Sequence, residues 1–157
     1  MLSFYCNYTI QINKSTTSKN ISAQNHILYQ KNSYVCRNFT YMLINEIASN
    51  INAQIHCIEG NENIDITKAF TSDLMSDVLT IEDSDVVLIT GLANIQTIRT
   101  ADMADIRCII LGRNKHPSSE MLELAEDIGI TVLVCPLTLF HISGILYNKG
   151  INPILIK

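Results

Sequence analysis

Between Asp85 and Gly150 one pattern runs three times in succession, and it restricts the chain to few architectures. A short apolar run, Asp85-Val-Val-Leu-Ile-Thr90, leads to Gly91 and a helical stretch over 92–103. A second, Arg107-Cys-Ile-Ile-Leu111, leads to Gly112, a polar turn and a helical stretch over 117–128. A third, Thr131-Val-Leu-Val-Cys135, leads to Pro136 and a helical stretch over 138–148. Strand–turn–helix units repeated at this spacing predict an α/β fold, a single domain whose mainly parallel sheet is flanked by helices.

The helices carry their own punctuation. Pro117 suits a first helical position, and Gly129 and Gly150 suit the left-handed residue just past a helix end. Met121, Leu122, Ala125 and Ile128 share an apolar face, with Glu120, Glu123, Glu126 and Asp127 turned to water. Gly144, inside the third helix, costs about 1 kcal/mol against Ala. The expected compensation is close packing against another backbone.

Upstream, Leu43, Ile44, Ile47, Ala48 and Ile51 follow helical spacing and predict a helix over 42–50. Residues 53–58 and 64–70 read as strands, joined by a turn at 60–63. Ser72 is placed to cap a short helix over 74–79, with Asp73 at its positive end. Downstream, the apolar tail 151–157 can pack on the domain, add an edge strand or meet a second subunit.

Residues 1–41 differ from the rest. They contain four basic residues and no acid; all fifteen acids lie after Met42. Rich in Asn, Ser and Thr and without sustained apolar period, this stretch reads as a poorly ordered extension. Its four N-x-[S/T] triplets, at Asn7, Asn13, Asn20 and Asn38, read as products of composition, and with Arg37 its single arginine it is not Arg-rich as a transit peptide should be. The expected organisation is thus an extension over 1–41, a domain over 42–151 and a tail over 152–157.

A net charge of −4 argues against nucleic acid, and no apolar run is long enough to span a bilayer. The five cysteines show no C-x-x-C spacing, so zinc lacks its usual ligand pattern. Cys57, Cys108 and Cys135 fall in apolar runs and read as buried reduced thiols, which suits the cytoplasm.

Three groups could carry chemistry. In open α/β sheets, ligands bind beyond the carboxyl ends of the strands, which selects Thr90, Gly91, Gly112, Arg113 and Thr138. Backbone N–H groups there can hold an anion and Arg113 can clamp it, although neither nucleotide-binding glycine fingerprint is present. The second group is Ser72, Asp73 and Asp77; on a helix, Asp73 and Asp77 would share one face, a geometry usable for acid–base work or a metal. The third, Cys135 with His141, lacks the arginine-terminated loop of a phosphatase and reads as core. No catalytic residue, metal or cofactor is assigned.

Several stretches together resemble the DRTGG domain family: Thr71-Ser-Asp-Leu-Met-Ser-Asp-Val78, Leu88-Ile-Thr90, Ile109-Ile-Leu-Gly112 with Pro117, Ala125-Glu-Asp-Ile-Gly-Ile130 and Leu139-Phe-His-Ile-Ser-Gly-Ile-Leu-Tyr147. One departure is Lys68-Ala69-Phe70, where that family commonly has a glycine-rich turn. The resemblance implies a small α/β module without catalytic activity, with a fold similar to the N-terminal domain of HPr kinase. Related modules accompany CBS domains in regulated pyrophosphatases and precede the catalytic part of some phosphotransacetylases. The expected function is therefore a regulatory module that forms a homodimer and binds a small anionic ligand of the adenine-nucleotide type. The alternatives are a protein-interaction subunit acting on a partner enzyme through Phe140, Leu146 and 154–156, and a metal-dependent enzyme using Asp73 and Asp77.

Overall fold

Val86–Thr90, Cys108–Leu111 and Thr131–Val134 are buried at every position, as strands covered by helices on both faces must be. A computed structural model describes residues 41–56, 60–61 and 63–154. The described elements are β1 (Met42–Leu43), α1 (Ile44–Ile51), β2 (Gln54–His56), β3 (Asp65–Ile66), β4 (Lys68–Thr71), α2 (Met75–Val78) and β5 (Val86–Thr90). They continue with α3 (Ile95–Met103), β6 (Cys108–Leu111), α4 (Ser119–Asp127), β7 (Thr131–Val134), α5 (Leu139–Asn148) and β8 (Asn152–Pro153). Six strands form the main sheet in the order β2-β7-β6-β5-β4-β8, and β1 pairs with β3 in a separate ribbon. Neighbours from β7 to β8 are parallel; β2 is antiparallel to β7. The chain is therefore α/β, with a mainly parallel sheet flanked by helices.

The winding explains which helix covers which face. From β4 to β7 the chain steps along the sheet in one direction, with α3 and α4 packing Ile98, Ala101, Met121 and Ala125 on Leu88, Ile109, Leu111 and Val132. After β7 it returns across the whole sheet to β8. A parallel crossover of the same hand made in the opposite direction must use the opposite face. Accordingly α5 lies with α1 on that face, where Ile142 and Leu146 join Ile44, Ile47 and Ile51 over Val87, Ile89, Ile110 and Leu133. Each fully buried aliphatic side chain contributes about 1.5–3 kcal/mol by leaving water, so the alternate faces of β5, β6 and β7 anchor both layers.

Several local expectations change. The helix predicted from Met42 starts at Ile44, because Met42 and Leu43 pair with Ile66 and Asp65. The strand predicted over 64–70 is two strands with a corner at Thr67. Thr67 and Lys68 both donate their N–H to the Asp85 carbonyl, while the Thr67 carbonyl accepts from Asn152 N. Pro117 stands ahead of α4 rather than inside it; Ser118 caps that helix, its hydroxyl accepting from Met121 N at 3.2 Å. Gly129 and Gly150 do adopt the left-handed conformation after α4 and α5, at φ +72° and +106°. Gly144 makes no such close approach: beyond its own helix backbone and chain neighbours, a Cβ there would meet no atom of the described residues within 4 Å. From the tail, Asn152 and Pro153 add a parallel edge strand beside Lys68 and Ala69. Cys57 lies outside the described residues, as do Cys6, Cys36 and the N-x-[S/T] triplets.

Candidate functional site

At the carboxyl ends of β5 and β6 the chain leaves the sheet through Thr90-Gly91 and Gly112-Arg113-Asn114. Parallel-sheet pairing leaves backbone donors and hydroxyls there, which must find partners once buried. Thr90 is fully buried and Gly91 is buried beside it. Their partner is Asp73. Its Oδ1 accepts from Thr90 Oγ1 at 2.9 Å and from Gly91 N at 2.7 Å, and its Oδ2 pairs with Arg113 Nη2 at 3.0 Å. The Thr90 hydroxyl oxygen also accepts from Leu92 N. Only glycine fits at position 91 with this arrangement, since a Cβ would lie 1.5 Å from Arg113 Nη2.

Electrostatics agree with the geometry. Partial burial by itself pushes the Asp73 carboxyl up, but the Gly91 N–H, the Thr90 hydroxyl and the Arg113 guanidinium outweigh it. The net result holds Asp73 below its ordinary value and so ionised at neutral pH. The pair remains in reach of solvent: the Asp73 and Arg113 side chains are 40% and 46% exposed.

The next crevice along the sheet is closed by backbone. β6 leads to α4 and β7 to α5, on opposite faces, and sheets of this type characteristically bind ligands at such a divergence. Here Arg113 and Asn114 take left-handed conformations, φ +60° and +55°, which turn their N–H groups back into the sheet. Arg113 N donates to Leu137 O at 2.7 Å and Asn114 N to Cys135 O at 3.0 Å. Gly112 fits under α5 with no room to spare, a Cβ there lying 2.6 Å from Leu139 Cδ2. Thr138, expected at the ligand edge, caps α5 by accepting from His141 N.

The predicted site residues thus divide. Asp73, Thr90, Gly91 and Arg113 converge; Gly112 and Thr138 serve the neighbouring turn and cap. Ser72 does not cap α2, whose capping position is Leu74; its hydroxyl accepts from Leu74 N at 2.9 Å. Asp73 precedes that helix, so the shared helix face expected for Asp73 and Asp77 does not form, and Asp77 is exposed on α2. No cluster of three or more His, Cys, Asp or Glu placed to hold a metal occurs among the described residues. Cys108 is buried and its thiol is pushed up to about 12 by burial. Burial raises Cys135 as well, the Leu137 N–H only partly opposing it, and its Sγ contacts Ile51 O at 3.2 Å. Neither thiol is an activated nucleophile. His141 is exposed on α5.

A second feature was legible in the sequence only in part, through Phe140 and Ile154 of the expected apolar patch. Between the β4–β8 edge and α5 runs a groove of about 450 Å³, lined by Phe70, Phe140, Gly144, Tyr147, Pro153 and Ile154 among others. Phe140 is 89% exposed beside it, whereas Leu146, expected on the same apolar patch, is buried in the core. Helical spacing could have separated those two residues: they are six apart and fall on different faces of α5.

No family model and no curated protein matches this chain. Among solved structures it is similar to the crystal structure of the CBS and DRTGG domains of the regulatory region of Clostridium perfringens pyrophosphatase, complexed with the activator diadenosine tetraphosphate. The TM-score is 0.57 at 18% identity, over 66% of this chain and 45% of that one. The likeness thus spans less than half of the pyrophosphatase fragment, and at this identity it establishes a related fold.

Proposed function

We propose that this chain is a non-catalytic regulatory module of the DRTGG kind, spanning residues 42–151, which self-associates in the cytoplasm and responds to a small anionic ligand of the adenine-nucleotide type. The observation that carries this reading is the fold it shares with a regulatory region crystallised with a nucleotide activator. The state of the strand ends supports the non-catalytic part. There Thr90, Gly91 and Arg113 are engaged by Asp73, and the turn after β6 is engaged by Cys135 and Leu137, as a structural module would use them. Thermal-shift scanning against adenine nucleotides and dinucleoside polyphosphates tests the ligand. A rise in melting temperature at millimolar concentration is expected, and a flat response across the series ends that half of the reading. A monomeric mass by light scattering at every practical concentration ends the self-association half.

A second reading, a subunit that binds a partner enzyme, draws on the exposed Phe140 beside the apolar groove. Exchanging Phe140 for Ser should then abolish capture of that enzyme without changing the fold.

A further inference from the structure

We infer that Thr90, Gly91 and Arg113 form a latent phosphoryl-binding site occluded by the chain's own Asp73, which a free phosphate or pyrophosphate group can displace. The inference deepens the ligand-binding reading above by naming the group recognised and the residues that hold it.

The backbone that carries each donor is fixed independently of the carboxylate. Thr90 ends a strand paired on both sides, by β4 and β6, and Gly91 follows it directly. Arg113 is set by a turn whose N–H groups at 113 and 114 are pinned by Leu137 and Cys135 carbonyls. Asp73 instead lies in the short connection between β4 and the four-residue α2, held by the Ser72–Leu74 contact and by Ser72 N donating to Ile89 O at 3.2 Å. Asp73 itself lies in no strand or helix.

The donors also match a phosphoryl group. An amide N–H and a hydroxyl converge on one oxygen, and a guanidinium engages a second oxygen of the same anion. A phosphate presents the same oxygen lone pairs with more negative charge than a carboxylate. Because Asp73 and Arg113 are both 40% or more exposed, their attraction is screened by solvent, and a ligand at millimolar concentration can compete for it.

The test is calorimetric titration of inorganic phosphate and pyrophosphate into wild type, D73A and D73A/R113Q at matched chloride. Removing the tethered carboxylate should tighten pyrophosphate binding by about two- to fivefold, the scale of one solvent-screened ion pair. Removing Arg113 as well should abolish the gain. A folded D73A with wild-type affinity, or a gain that survives in D73A/R113Q, overturns the inference. Should D73A fail to fold, amide NMR of the wild type decides. A saturable shift of the Gly91 N–H with pyrophosphate supports the site, and an unmoved Gly91 at millimolar pyrophosphate overturns it. If pyrophosphate binds D73A while adenine nucleotides leave both proteins' melting temperatures unchanged, the latent site stands and the nucleotide reading falls.

Discussion

The carboxyl-end edge of the sheet and the groove beside β4 are a few residues apart, yet one is closed and the other open. Thr71 closes β4 and lines the groove, its hydroxyl 2.9 Å from Ser143 Oγ on α5. Two residues later Asp73 seals the edge. The difference follows from what each surface is made of. Buried N–H and hydroxyl groups cannot be left unpaired without a cost of about 1–3 kcal/mol each, so the polar strand ends recruit acceptors from within the chain. An apolar groove carries no such obligation, and its surface persists. An edge that looks like a ligand site in sequence can therefore be complete without a ligand, while an unpatterned apolar flank stays open.

Two glycines give this contrast opposite signs. At the closed edge, G112A drives a methyl into Leu139 and Ile142 and should destabilise the fold by about 1–3 kcal/mol, read as a lower midpoint in urea. At the open groove, G144A adds a methyl where there is space and improves helix propensity. It should stabilise by about 1 kcal/mol in the same experiment, while narrowing the groove. A loss of stability in G144A, or none in G112A, would break the comparison.

Smaller effects sharpen it. D73N keeps the shape of the plug but removes its charge, and the exposed, screened pair with Arg113 limits the loss to below about 1 kcal/mol. Its pH dependence is more telling than its size. The folded state holds Asp73 below the ordinary carboxylate value of about 3.9, so the wild-type advantage is full above that value. It fades as pH falls through the lowered folded-state value, because the folded form then also takes up the proton. A difference between wild type and D73N that stays constant from neutral pH down through that range would mean Asp73 is not engaged as described. Smallest of all, F140S should leave unfolding within about 0.5 kcal/mol of wild type, since that ring is nearly free of the core. Any effect it has belongs to association, measured by light scattering.

Much of this molecule is local in origin and readable in its residues. The largely apolar runs at 86–90, 108–111 and 131–134 require strands buried on both faces, and Gly129 and Gly150 mark helix ends that need positive φ. Thr67 shows where local reading fails: apolar alternation continues through 64–70, but the chain changes partners from β1 to β5 and β8 at that residue. Ser72 and Pro117 fail similarly by a position or two, because neighbouring residues can satisfy the same helix end.

The sequence by itself determined the parallel α/β layers and the set of residues gathered at one edge of the sheet. Only the tertiary structure decided what those residues face. Asp73 meets Arg113 across 40 positions of chain, and the turn after β6 closes on carbonyls more than twenty residues downstream. Hydrophobic period and capping preference report contacts within a few residues along the chain. The pairing of a carboxylate with a particular strand end depends instead on strand order and on the face each crossover takes, which the folded core fixes as a whole.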